Sequence, residues 1–243
     1  YQLLESEVIG LKILLEDKLT PKNDFINTCQ DKSSTKESTR KEVLIDYTRN
    51  QYENASRNNL NDKKKLLLHS CCGPCSSYVI SYLTKYFDIT ILYYNPNIFP
   101  YDEYLKRKEE QIKLINEIDK VNCVDIIDCD YDNDYYNECI KGLEKEPERG
   151  NRCKICYYLR MEKTAILAKE NDYDFFCTTL SVSPYKNAEW INNYGKELEN
   201  KYNVKWLYSD FKKKDGYKSS ILLSNKYNLY RQNYCGCIYS KPQ

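Results

Sequence analysis

Three leucines, Leu66-Leu67-Leu68, followed by His69 stand directly after the charged run Lys63-Lys64-Lys65, the pattern of a buried strand entered from solvent. From there the apolar spacing switches repeatedly between two periods. It predicts a helix over 76–87, a strand over 89–94, a helix over 101–118 with Leu105, Ile112 and Ile115 turned inward, and a strand over 123–127. An acidic, tyrosine-rich stretch with no clear period follows. A helix over 153–170, a strand over 174–178, a helix over 187–202 and a strand over 205–208 complete the series. The helix over 187–202 is the clearest, because Ile191, Tyr194, Leu198 and Tyr202 share one face. Alternating strands and helices predict an α/β fold: a mostly parallel sheet with helices on both faces, Rossmann-like or HUP-like in kind. In such sheets the working site gathers at the carboxyl ends of the strands.

The first 65 residues read differently. Leu4, Val8, Leu11 and Leu15 have helical spacing and predict a short amphipathic helix over 1–19. Residues 21–65 carry stretches such as Asp31-Lys32-Ser33-Ser34-Thr35-Lys36-Glu37-Ser38 with no apolar period, and are expected to form a solvated linker. The expected organisation is therefore an amino-terminal extension over 1–65, helical then flexible, and a catalytic α/β domain over 66–243.

Composition narrows the partners. With 41% apolar and 30% charged residues the chain is ordinary for a globular protein, and no apolar run reaches the length of a bilayer span. The segment around Leu11–Leu15 is flanked by acidic residues and does not resemble a secretion signal, so a cytoplasmic location is expected. A net charge of +1 means that any nucleic-acid site must be a local patch.

Twelve cysteines change the picture most. Seven of the twelve lie outside any disulfide-scaffold pattern and inside three short groups: Cys71-Cys72-Gly73-Pro74-Cys75, Cys153-Lys154-Ile155-Cys156 and Cys235-Gly236-Cys237, with the other five scattered. Taken alone, Cys72-Gly73-Pro74-Cys75 has the dithiol sequence of the thioredoxin class, in which a helix amino terminus favours the thiolate. That reading leaves Cys71, Cys153 and Cys156 without a task. Four thiolates from two pairs satisfy a [4Fe-4S] cluster, and they satisfy a tetrahedral zinc ion equally well; spacing does not separate the two. Cys153 and Cys156 would face the same way on a first helical turn, where the helix dipole favours negative charge. A disulfide across the single residue Gly236 closes a strained ring, and strained disulfides tend to be catalytic or regulatory, so Cys235 and Cys237 read as a thiol/disulfide couple, with metal binding as the competing role. Cys123, Cys129, Cys139 and Cys177 read as small buried hydrophobes and Cys29 as an incidental thiol.

The segment from Leu66 through Cys75, the run Tyr93-Tyr94-Asn95-Pro96-Asn97-Ile98, the segment Arg152-Cys153-Lys154-Ile155-Cys156-Tyr157 and the ending Tyr234-Cys235-Gly236-Cys237 together resemble the QueH epoxyqueuosine reductases. The resemblance implies two-electron reduction of the epoxide of epoxyqueuosine at the tRNA wobble position, giving queuosine and water without cobalamin. It implies that Cys71, Cys72, Cys153 and Cys156 hold a [4Fe-4S] cluster and that Cys235 and Cys237 are the redox-active pair. Cys75 is then left as a ligand for a second, mononuclear iron, and the electron donor is an external one that the residues do not identify. For tRNA phosphates the candidates are Lys63–Lys65, Arg149, Arg152, Lys186 and Lys212–Lys214; for base stacking they are Tyr93, Tyr94, Tyr185 and Tyr234. His69, the one histidine, is expected to pack or cap at the strand end and not to bind metal. Two other classes stay open from the residues alone: a zinc-stabilised RNA-binding module, and a thiol-disulfide oxidoreductase built on Cys72 and Cys75.

Overall fold

The computed structural model describes residues 63–122 and 124–241. The expected helix and linker over 1–65 lie, but for the last three residues, outside them, as do Cys29 and Cys123.

Strand β1 (Lys64–His69) occupies the middle of the sheet because Leu66, Leu67, Leu68 and His69 have no exposed surface, and only a strand covered on both faces can be apolar at consecutive positions. It pairs in parallel with β2 (Phe87–Tyr93) in the register Leu66↔Ile89 to His69↔Leu92, and on its other edge with β4 (Phe175–Thr178), Leu66↔Phe175 to His69↔Thr178. The outer strands are β3 (Val124–Asp128) on β2 and β5 (Lys205–Trp206) on β4. The order is β3-β2-β1-β4-β5, all parallel.

Among the described residues six α-helices accompany the sheet: α1 (Gly73–Leu83), α2 (Tyr101–Glu117), α3 (Asn133–Cys139), α4 (Asn151–Glu170), α5 (Ala188–Tyr202) and α6 (Gly216–Lys226). The walk β1-β2-β3 runs one way across the sheet and β4-β5 the other. Right-handed crossovers therefore place α1 and α2 on one face and α5 on the opposite one. Helix α4 packs on α5 and on β1 and β4, and α6 packs on α1.

Several boundaries moved. The helix predicted from residue 76 begins at Gly73, because Pro74 suits a first turn that lacks its amide partner anyway, and it ends at Leu83. Strand β2 consequently starts at Phe87, and the predicted strand over 205–208 shortens to Lys205–Trp206. In α2 the expected inward Ile112 is 39% exposed, while Arg107 and Gln111 take buried positions for which the apolar period has no place. Both are polar groups with work inside. Arg107 pairs with Glu103 at 2.7 Å, and the Gln111 Oε1 accepts from the hydroxyls of Ser70 at 2.6 Å and Ser76 at 2.7 Å, just below the first cysteine group.

Candidate active site

Beyond the end of β1 the chain turns through Ser70, Cys71 and Cys72 into α1, and beyond β4 it enters a short 3-10 turn, Thr179–Val182. The strand order reverses between these two connections, so their crevice is the switch point at which open parallel sheets bind ligands. The sulfurs of Cys71, Cys72 and Cys75 meet there, all within 4.8 Å of one another, with Cys71 and Cys72 3.9 Å apart. This is the group of ligating side chains that could hold a metal ion among the described residues, and soft thiol donors suit iron or zinc.

His69 braces the floor beneath it. Its Nε2 lies 3.1 Å from the Tyr94 carbonyl, which can only accept, so Nε2 carries the proton and Nδ1 is left to accept from the Thr178 hydroxyl at 2.7 Å. The Thr178 hydroxyl in turn accepts from the Leu180 amide at 3.2 Å. Burial, and then the nearby Arg160 guanidinium, lower the His69 pKa to about 3, so the ring is neutral with both nitrogens committed. The sequence expectation of a packing and not a ligating histidine agrees with this.

Thr179 fixes Cys71 directly, its hydroxyl oxygen accepting from the Cys71 amide at 3.2 Å and donating toward the sulfur at 3.5 Å. Hydrogen bonds from Cys72 and Cys75, with help from Thr179, hold the Cys71 thiol well below the ordinary cysteine range despite burial. The same contacts act in reverse on its neighbours: Cys72 is pushed up to about 12, chiefly by Cys71, and Cys75 is raised as well. Of the three thiols, Cys71 is therefore the one that gives up its proton most readily.

Cys153 and Cys156 lie in the opening turns of α4, both buried, and are not part of the triad that meets within 4.8 Å. The Cys153 sulfur accepts from the Arg149 amide at 3.3 Å. Burial raises both thiols, Cys156 to about 11, against the opposing pull of Arg149 and Lys186 on Cys153 and of Arg160 on Cys156. Arg160 is the group that links the sets. It is 3% exposed, donates to the Cys156 carbonyl at 3.1 Å and to Asn95 Oδ1 at 3.4 Å, and lies within electrostatic reach of Cys156, Cys71 and Cys235. Burial alone would lower its pKa, and these sulfurs raise it instead.

Cys235 and Cys237 come from the carboxyl-terminal segment, which is stitched to the loop after β2. The Phe99 amide donates to the Gly236 carbonyl at 2.9 Å, Asn97 to the Cys235 carbonyl at 3.4 Å, and Arg107 to that of Tyr234 at 3.5 Å. Gly236 has φ +103°, and a Cβ there would press on Ile98 and the Arg107 guanidinium, so the residue between the two cysteines must be glycine. The two thiols have separate partners: Cys235 meets the Ser240 hydroxyl at 2.8 Å and Cys237 the Tyr136 hydroxyl at 3.4 Å. Cys235 joins Cys71, Cys72, Cys75, Arg160 and Lys186 in lining a cavity of about 360 Å³.

A family model described as epoxyqueuosine reductase QueH matches residues 66–243, the part of the chain that supplies every group just named. The chain belongs to the QueH family. It is 44% identical over 183 residues to the epoxyqueuosine reductase QueH of Staphylococcus epidermidis, covering 74% of this chain and 77% of that one. The corresponding protein of Streptococcus pyogenes is 41% identical over 180 residues, 73% of this chain and 71% of the other. The QueH of Acinetobacter baylyi is 43% identical over 178 residues, 72% and 80% of the two chains.

Membership in QueH agrees with the cysteine motifs, but not every residue expected to contact tRNA is open to it or near the cysteines. Tyr93 and Tyr94 are core residues, 0% and 3% exposed, and cannot stack on a base. Arg152 is fully buried and donates to the carbonyls of Leu143, Glu144 and Glu146, which makes it a brace for the loop before α4. Lys186 has its ammonium buried 3.5 Å from Glu148; burial would lower its pKa, but Cys235 and Tyr157 raise it. Lys64 and Lys65 are at the far, amino-terminal end of β1 from the cysteines. Of the cysteines read as structural, Cys177 is fully buried, whereas Cys129 and Cys139 are only half-buried. Arg160, Thr178, Thr179 and Tyr136 were not singled out from sequence. A signal existed for Arg160, which stands four and seven residues after Cys156 and Cys153 and hence on the same helix face.

Proposed function

We propose that the protein reduces the epoxide of epoxyqueuosine in tRNA to queuosine, using a [4Fe-4S] cluster and no cobalamin. The observation that carries this reading is the convergence of Cys71, Cys72 and Cys75 at the sheet's switch point, across one cavity from Cys235, in a chain of the QueH family. Cys71 and Cys72 would hold the cluster from the turn after β1, and Cys153 and Cys156 from the start of α4. The donor set fits: thiol sulfurs only, with Arg160 and Lys186 buried beside them to compensate negative charge. When bound, the cluster supplies electrons singly at low potential. Cys75, drawn into the same group as Cys71 and Cys72, is the residue available to a mononuclear iron.

The remaining residues account for the stoichiometry. Converting the epoxide to an alkene and water consumes two electrons and two protons. Oxidation of the Cys235 and Cys237 thiols to a disulfide releases two electrons and two protons, and an external reductant must then restore the pair. Arg160, buried at the cavity wall with no carboxylate paired to it among the described residues, stabilises negative charge developing on the substrate oxygen or the sulfurs. Since tRNA is the substrate, the protein works in the cytoplasm; no helix among the described residues is long and apolar enough to cross a membrane.

The test is anaerobic reconstitution with iron and sulfide, followed by nucleoside analysis of epoxyqueuosine-containing tRNA. Queuosine should appear, and Cys156→Ala, which removes a thiolate that would hold the cluster, should abolish the visible absorbance. A wild-type protein that binds only zinc and leaves epoxyqueuosine intact would refute the reading.

A further inference from the structure

We propose that Tyr185, with the Arg149 guanidinium laid over its ring, is a stacking platform that receives an unpaired nucleobase at the mouth of the cavity. The inference rests on the tRNA reading above and adds the surface by which single-stranded RNA is held. Tyr185 lines the cavity and is 57% exposed, the most exposed aromatic side chain among the described residues. The guanidinium carbon of Arg149 stands 5.4 Å from its ring centroid, a cation–π arrangement.

The pair is held in place by the chemistry of the site. Arg149 has φ +72°, a conformation that a non-glycine residue keeps only when its surroundings impose it, and strain of this sort clusters where function needs it. At the same residue the backbone amide donates to the Cys153 sulfur at 3.3 Å. On the other loop the Tyr185 amide donates to the Ser183 hydroxyl at 3.2 Å, and Lys186 reaches back to Glu148 at 3.5 Å. Two loops are thus clasped beside the cavity, each by residues adjacent to the aromatic–guanidinium pair. Arg231, exposed at the same cavity, adds a second positive charge where a phosphate would pass.

The alternatives among aromatic and basic residues have other duties. Tyr93 and Tyr94 are buried, and Tyr234 is only half-exposed, with its hydroxyl donating to the Phe99 carbonyl at 3.2 Å. Lys65 stands about 13 Å down the strand from His69, at roughly 3.3 Å per residue. Stacking suits the task because an extruded wobble nucleotide leaves its neighbours unstacked, and every base has a face that an aromatic ring or a guanidinium plane can cover.

The test measures binding of an anticodon stem-loop RNA, carrying unmodified guanosine at the wobble position, to the full chain. Tyr185→Leu removes the π face while keeping bulk and should weaken binding roughly 5- to 150-fold, whereas Tyr185→Phe should stay within about 2-fold of wild type. Equal affinity for Tyr185→Leu and wild type would overturn the platform alone, leaving the tRNA reading intact. A Tyr185→Phe defect as large as that of Tyr185→Leu would also overturn it, since the hydroxyl and not the ring would then matter. Failure of the wild-type protein to bind any tRNA-derived RNA would sink the platform and the tRNA reading together.

Discussion

Lowering the pH should unfold this protein partly through one residue. His69 is neutral when folded, with a pKa lowered to about 3, and takes up a proton near pH 6.5 when unfolded. Because the folded value is depressed, the unfolded chain binds the extra proton first. The histidine's contribution is therefore fully present above about pH 6.5 and is lost as pH falls from there toward 3. At about pH 5 the loss is 1.5 pH units at 1.36 kcal/mol each, or about 2 kcal/mol. Urea denaturation of metal-free protein at about pH 7.5 and pH 5 measures it, with His69→Leu as the control. The variant leaves the buried Tyr94 carbonyl and Thr178 hydroxyl without their partner, so it should be less stable at both pH values, by roughly 2–4 kcal/mol at the higher one. Its loss of stability between the two pH values should be about 2 kcal/mol smaller than that of wild type. Parallel pH dependences in the two proteins would refute the neutral, doubly bonded imidazole.

The other predictions concern the wall of the sheet behind the site. Asn192 is buried and makes four bonds, accepting from Trp206 Nε1 at 3.0 Å and the Ser209 amide at 3.2 Å and donating to the carbonyls of Ala188 and Ser209. Asn192→Leu orphans two buried donors and should cost roughly 3–5 kcal/mol in thermal or urea denaturation; a loss under about 1 kcal/mol would contradict the network. Gly195→Ala would place a methyl inside the Trp206 indole, which Asn192 pins, and should destabilise by roughly 1–3 kcal/mol. Since Asn192 is what prevents the indole from yielding, the double variant should lose less than the sum of the single ones.

The parallel sheet was legible because its central strands are apolar without interruption, as at Leu66-Leu67-Leu68, and its long helices carry apolar residues at three- and four-residue steps. Helix α6 was not. Its buried positions are Gly216, Ser220 and Ser224, small residues at the helical step that let it lie close on α1, while Leu222 faces solvent at 61% exposure. A search for apolar periodicity passes over such a helix, and α3, whose buried positions are Asn133 and Tyr136, escapes for the same reason. At the site, adjacency in sequence carried the triad at Cys71, Cys72 and Cys75. It could not carry Thr178 and Thr179, which reach Cys71 and His69 only because β4 lies beside β1, some 108 residues later. Arg107 and Gln111 violate the amphipathic pattern of α2, and each does so where a polar group is needed within the core.

The segment bearing Cys235 and Cys237 docks by backbone bonds onto the loop after β2, and it follows every strand and every other helix of five or more residues in the order of synthesis. On the ribosome, therefore, the triad at the end of β1 can fold with its sheet while one wall of its chamber has still to arrive. During that interval the three sulfurs face the surroundings, and the route by which iron would reach them is at its widest. Gathering of the three sulfurs and arrival of the last pair of thiols are thus separate events in the life of the chain, and the second narrows access to the first.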